Sequence, residues 1–151
     1  MSNQNIYSKM IVRSVDHIFK NFLEDQTIEE VYETQAKSGH KIVVEINGSI
    51  KGEIVITMPS NTLETIAKRF TNRSKNSSAV KHHKDVAGEI ANLITGSFAN
   101  QMQFKNHVLL LSPPEFNDDP IAMKALYDNI NLSFKSEFGG FDIDLYYKEP
   151  V

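Results

Sequence analysis

Asp85-Val-Ala-Gly-Glu89-Ile-Ala-Asn92-Leu-Ile-Thr-Gly96-Ser-Phe98 reads as a helix with two different faces. At ~100° per residue, Val86, Ile90, Leu93, Ile94 and Phe98 share one broad apolar arc, which predicts their burial in a core. Asp85, Glu89, Asn92 and Gly96 fall within ~60° of one another on another face, at spacings i, i+4, i+7 and i+11. An acid and an amide one turn apart on a rigid scaffold make a candidate site. The ordinary alternative is a solvated polar face, which every amphipathic helix has. Two features weigh against it. Asparagine is a poor helix former, because its short amide competes for nearby backbone groups. Gly88 and Gly96 each cost roughly 1 kcal/mol relative to alanine in a helix interior, which points to close packing or close approach of a partner.

Outward from this helix the chain alternates between the two regular periods. Ile6, Met10, Val12, Val15, Ile18, Phe19, Phe22 and Leu23 recur at helical spacing, predicting an amphipathic helix over residues 4–24. Thr27 to Ala36 alternates loosely and is expected to form a strand. Lys41 to Ile46 and Ile50 to Met58 are rich in β-branched residues around Asn47-Gly48-Ser49, a tight hairpin. Pro59 ends that strand, and Ser60 or Asn61 caps a helix reaching Thr71. Asn72 to Ser78 is polar and aperiodic, hence a loop, and the helix bearing the polar stripe is expected from Ala79 or Val80 to about Phe104. His107 to Leu111 is a short apolar run, expected to be a buried strand, and Glu115 to Pro120 a loop. Ile121 to Tyr127 is open between helix and strand. Asn131 to Ser136 and Phe141 to Tyr147 alternate around Glu137-Phe138-Gly139-Gly140, a second hairpin. Helix, strands, two helices, strands is an α+β order: a largely antiparallel sheet packed with helices, with a hint of duplicated helix–strand halves.

At 151 residues the chain fits one domain spanning residues 1–151. A net charge of −3 leaves no basic footprint for nucleic acid. No apolar run reaches the length of a membrane span and the N-terminus lacks a signal-peptide layout, so a cytoplasmic location is expected. The absence of cysteine excludes disulfides, thiol nucleophiles and thiolate metal sites. His82, His83, Asp85 and Glu89 are metal-ligand types, but adjacent histidines diverge by ~100° on a helix and no His-Glu-x-x-His spacing occurs, so solvated histidines are expected. No Gly-x-Ser-x-Gly context, Walker loop, dinucleotide fingerprint or calcium loop is present.

Asp85-x-x-x-Glu89-x-x-Asn92, followed after about twenty residues by Pro113-Pro114, resembles the signature of the CheC/CheX/FliY chemotaxis phosphatases, and the element order resembles CheX-like proteins over nearly the whole chain. In the first helix Ser14-x-x-x-Ile18-x-x-Asn21 has an apolar residue where the acid is needed, so a single motif of the CheX type is expected. The resemblance implies a phosphatase acting on the phosphoryl-aspartate of a CheY-type response regulator. It implies that Asn92 orients the attacking water, that Glu89 docks the regulator's active-site lysine, and that Asp85 supports them. It further implies a homodimer, no cofactor bound by this chain, and Mg2+ held by the regulator. The chemistry of asparagine agrees: its amide has no basic nitrogen, but it can accept from and donate to a water. Hydrolysis of an acyl phosphate calls for such positioning, since its loose transition state needs an in-line water and charge neutralisation. The alternative is a non-catalytic domain that binds a response regulator or serves a flagellar switch.

Overall fold

The computed structural model of the chain describes residues 3–36, 38–73, 83–117 and 126–149. The expected helix start at Ala79 or Val80, His82, most of the Asn72–Ser78 loop, residues 121–125 of the ambiguous segment and the last two residues lie outside them. The described elements run α1 (Asn3–Asn21), β1 (Glu29–Val31), β2 (His40–Gly48), β3 (Lys51–Met58), α2 (Ser60–Arg73), α3 (His83–Phe104), β4 (Leu109–Leu111), β5 (Glu115–Phe116), β6 (Asp128–Ser136) and β7 (Gly139–Lys148).

Every strand pairing is antiparallel, within one seven-stranded sheet of order β1-β6-β7-β3-β2-β4, with β5 also on β2. Read backwards, that order exchanges β1 with β4, β6 with β2 and β7 with β3. Each half therefore gives a hairpin to the centre and lends its first short strand to the other half's hairpin, the structural form of the duplication expected above. The α+β class and the predicted antiparallel sheet are as expected.

Period-two alternation sends Ile42, Val44 and Ile46 of β2, Ile54, Ile56 and Met58 of β3, and Ile143, Leu145 and Tyr147 of β7 into one core with the helices. Phe19 of α1 stacks on Phe141 at 5.1 Å between ring centroids, and Phe141 on Phe134 at 5.3 Å. From α3, Val86, Ala87, Ile90, Ala91, Ile94, Thr95, Phe98 and Met102 are buried. Leu93 departs from the expectation: it is only half-buried and packs at the margin of the core, because it sits at the end of the apolar arc nearest the polar stripe. Helix α3 is tied to α1 by the Gln101 amide, which donates to the Met10 carbonyl (2.9 Å) and the Ser14 hydroxyl (2.7 Å). Asn106, at φ 63°, ends α3, and His107 N–H closes back on the Met102 carbonyl at 3.0 Å. At the same helix–helix contact the Tyr7 ring stands edge-on to Phe98 and Tyr147. Burial, and then Glu149, push the Tyr7 hydroxyl up to about 12.

Three further expectations are corrected. The Thr27–Ala36 strand shrinks to Glu29–Val31, because the buried Asp142 carboxylate takes the backbone N–H groups of Gln35 (3.0 Å) and Ala36 (2.7 Å) and draws that segment away from the ladder. His107–Leu111 is not a buried strand: only Leu109–Leu111 is extended. It lies at the end of the sheet order, and Val108 and Leu110 are 62% and 67% exposed, because a strand with a single neighbour is covered on fewer sides. Glu115–Phe116, expected within a loop, pairs with β2 through Ile42↔Phe116 and Val43↔Glu115.

Candidate functional site

The polar stripe of α3 forms one wall of an open groove of about 480 Å³ lined by Lys84, Asp85, Gly88, Glu89, Asn92, Pro114 and Phe116. The helix is pressed onto the sheet by its apolar arc, so the residues off that arc face outward along the groove. Asp85, in the first turn, is exposed, where the helix dipole favours a carboxylate. Glu89 is half-buried and Asn92 exposed. Acid and amide thus share one wall, as their spacing predicts. Gly96 continues the stripe, and a Cβ there would meet nothing within 4 Å.

The opposite wall comes from the segment joining β4 to β5, which is fastened to β2 at both ends. On one side Ser112 N–H donates to the Glu45 carbonyl (3.0 Å), while its hydroxyl accepts from Glu45 N–H (2.8 Å). On the other, Asn117 N–H donates to the Lys41 carbonyl at 3.1 Å. Between these anchors stand Pro113 and Pro114, which have no N–H to give to a ladder. Pro113 is exposed, whereas Pro114 turns into the groove opposite Gly88: a Cβ on Gly88 would lie 3.8 Å from Pro114 Cγ. At the groove's end Lys84 Nζ lies 5.3 Å from the centroid of the Phe116 ring, a cation–π contact.

Sequence reasoning missed Lys84 and Phe116 as groove residues. Lys84 adjoins the motif without belonging to the stripe, and Phe116 acquires its place only by pairing with a strand some seventy residues earlier. Of the two readings of the glycines, close packing within the chain is not what the described residues show, since alanine would fit at Gly88 in ordinary contact and at Gly96 in open space. Of the metal-ligand types, His83 is exposed at the start of α3, and among the described residues no three histidine or acidic side chains are grouped to share an ion. Among those residues no helix is long and apolar enough to cross a membrane.

The first helix offers the same spacing with the opposite outcome. Ser14 is fully buried and donates to the Met10 carbonyl (2.8 Å), and Ile18 lies in the core. Asn21 donates to the His17 carbonyl of its own helix at 3.0 Å.

The fold has known relatives. A chain of the CheX–CheY–BeF3–Mg2+ complex of Borrelia burgdorferi superposes with a TM-score of 0.75 at 19% identity, over 95% of this chain and 98% of that one. The chemotaxis protein CheX of Vibrio vulnificus gives 0.75 at 16% identity, over 98% and 100% of the two chains. The middle domain of FliM from Vibrio alginolyticus is more distant, at 0.57 and 10% identity over 98% and 94%. No curated protein matches the sequence. The model of the family described as chemotaxis phosphatase CheX matches residues 41–124, over half of the 151 residues and including both walls of the groove, so the chain belongs to that family.

Proposed function

We propose that this protein, as one CheX-type domain over residues 1–151, hydrolyses the phosphoryl-aspartate of a CheY-type response regulator. The observation that carries the reading is the groove, in which Glu89 and Asn92 stand one turn apart on the same wall, open to a partner. Membership of the chemotaxis phosphatase family and the likeness to the CheX chain crystallised with CheY support it.

On this reading Asn92 enters the regulator's site and holds a water through its amide, whose oxygen accepts a hydrogen bond from the water and so directs a water lone pair at phosphorus. The water oxygen bonds to phosphorus in line as the bond from phosphorus to the aspartyl oxygen breaks; the aspartate leaves as carboxylate, and inorganic phosphate departs with the water's oxygen and protons. Glu89 supplies a negative charge to the regulator's active-site lysine and sets the register of the two proteins. Asp85 supports the start of the helix that carries both. The Mg2+ that neutralises the phosphoryl oxygens is assigned to the regulator, on the likeness to a chain of the CheX–CheY–BeF3–Mg2+ complex. A cytoplasmic location follows from that partner.

We also propose that two copies associate along β6. Strand β1 pairs only with Ser133 to Lys135, and on that side Asp128 to Leu132 have no strand partner among the described residues. Sedimentation at tens of micromolar tests this: a dimer mass is expected, and a monomer mass would remove the idea.

The second reading, a binding domain without turnover, draws on the likeness to the FliM middle domain. Phosphate release from phosphorylated CheY-type regulators separates the two. Turnover by wild type that is lost in Asn92→Ala supports the phosphatase. Tight binding with no acceleration over the regulator's own hydrolysis supports the binding domain.

A further inference from the structure

We infer that Gly88 is a specificity-determining position of the groove: its missing side chain, opposite Pro114, provides the depth into which the phosphoryl-bearing segment of the regulator fits. This rests on the regulator-directed reading above and adds a residue to it. The polar stripe alone is convex, like any helix surface. What makes it concave is the second wall, in which Pro114 stands across from Gly88: a Cβ on Gly88 would lie 3.8 Å from Pro114 Cγ. For Asn92 to reach a water beside phosphorus, the regulator's backbone must settle against α3 over the turn containing Glu89 and Asn92. Gly88 flanks that turn on the Pro114 side.

Among the described residues nothing accounts for a glycine there. It lies within a regular stretch of α3 and is not among the residues with positive φ. An added methyl would touch Pro114 Cγ at 3.8 Å, an ordinary van der Waals distance. Alanine would therefore be accepted by the fold and preferred by the helix. The same methyl would bridge the two walls and raise the floor of the groove. The position is thus one where helix stability and groove depth oppose each other, which lets a single substitution separate them.

The test compares wild type, Gly88→Ala, Pro114→Ala and the double variant in thermal unfolding. In parallel, titration calorimetry measures their binding to a CheY-type regulator loaded with beryllofluoride and Mg2+. Gly88→Ala is expected to raise Tm by about 2–4 °C while weakening regulator binding at least tenfold. The double variant, with the proline ring gone, is expected to recover most of the lost affinity. Binding by Gly88→Ala within a factor of two of wild type would overturn the inference. So would a double variant no better than Gly88→Ala, since the methyl would then act on the helix and not on the groove; this comparison decides the matter even if Tm falls. Failure of wild type to bind any loaded regulator would instead defeat the regulator-directed reading itself, and this inference with it.

Discussion

Helices α1 and α3 carry side chains at the same three spacings and use them in opposite ways. In α1 the positions Ser14, Ile18 and Asn21 run along the arc that also contains Met10, Ile11, Val15 and Phe19, so the first two are buried. In α3 the positions Asp85, Glu89 and Asn92 are rotated off the arc of Val86, Ile90, Ile94 and Phe98 and face a groove. A spacing becomes a site only through its angle to the apolar arc of its own helix. The second requirement is an opposing wall, which α3 obtains from Pro114 and Phe116. The rotation that separates stripe from arc decides whether a carboxylate meets solvent or a core.

The most disruptive way to probe this contrast is to give α1 the missing acid. Ile18→Glu would place a carboxylate at a position only 7% exposed, and is expected to cost on the order of 3–5 kcal/mol of stability. Chemical denaturation measures it, and a loss under 1 kcal/mol would mean that the α1 stripe is not committed to the core. Next in size is the amide proposed to hold the attacking water. Asn92→Ala should lower phosphate release from saturating phosphorylated regulator by roughly 10²–10³ with Tm unchanged. Asn92→Asp should be at least as damaging, since it exchanges a donor for a negative charge beside a phosphoryl group. Retention of turnover within a factor of two by both variants would remove Asn92 from the mechanism.

Glu89→Ala is expected to act on docking, raising the half-saturating regulator concentration by roughly ten- to a hundredfold, as truncating one partner of a partly desolvated charge pair does. Unchanged half-saturation together with unchanged turnover would return Glu89 to a solvated face. The margin of the arc gives a finer comparison. Leu93→Ala should cost about 1–2 kcal/mol and Ile90→Ala about 2–5 kcal/mol, because only Ile90 is fully buried. Equal losses would contradict the placement of Leu93 at the rim. Smallest is Asn21→Ala, whose amide, among the described residues, bonds within its own helix. It should change stability by less than about 0.5 kcal/mol and turnover not at all.

Much of this was legible in the sequence where a period ran long enough to be counted. The faces of α3, the helical character of α1 and the two central hairpins follow from spacings of 3.6 and 2 sustained over many residues. The site's first wall was legible for the same reason, since Asp85, Glu89 and Asn92 sit on a single helix. Its second wall was not. Two residues of strand at Glu115–Phe116 carry no periodic signal, and their conformation is fixed by Ile42 and Val43 far earlier in the chain. Short apolar runs such as Val108–Leu111 look alike whether they occupy the middle of a sheet or its rim, and only the strand order separates these cases. The choice between Pro113 and Pro114 likewise depended on which ring turns toward α3.

The fastening of the second wall to β2 sets how long the groove persists. One wall belongs to α3, whose inner face is sealed by some of the most deeply buried side chains in the molecule. The other is the rim of the sheet, held to β2 by a few hydrogen bonds, from Ser112 and Asn117 and the two-residue ladder of β5. Such rims open at a fraction of the free energy of global unfolding. Amide exchange at Ser112 and Asn117 should then run ahead of exchange along α3, and each opening would dismantle the docking surface while every core contact survived. A bound regulator, by spanning both walls, would slow that exchange, so its presence could be read from protons that lie outside the turn of Glu89 and Asn92.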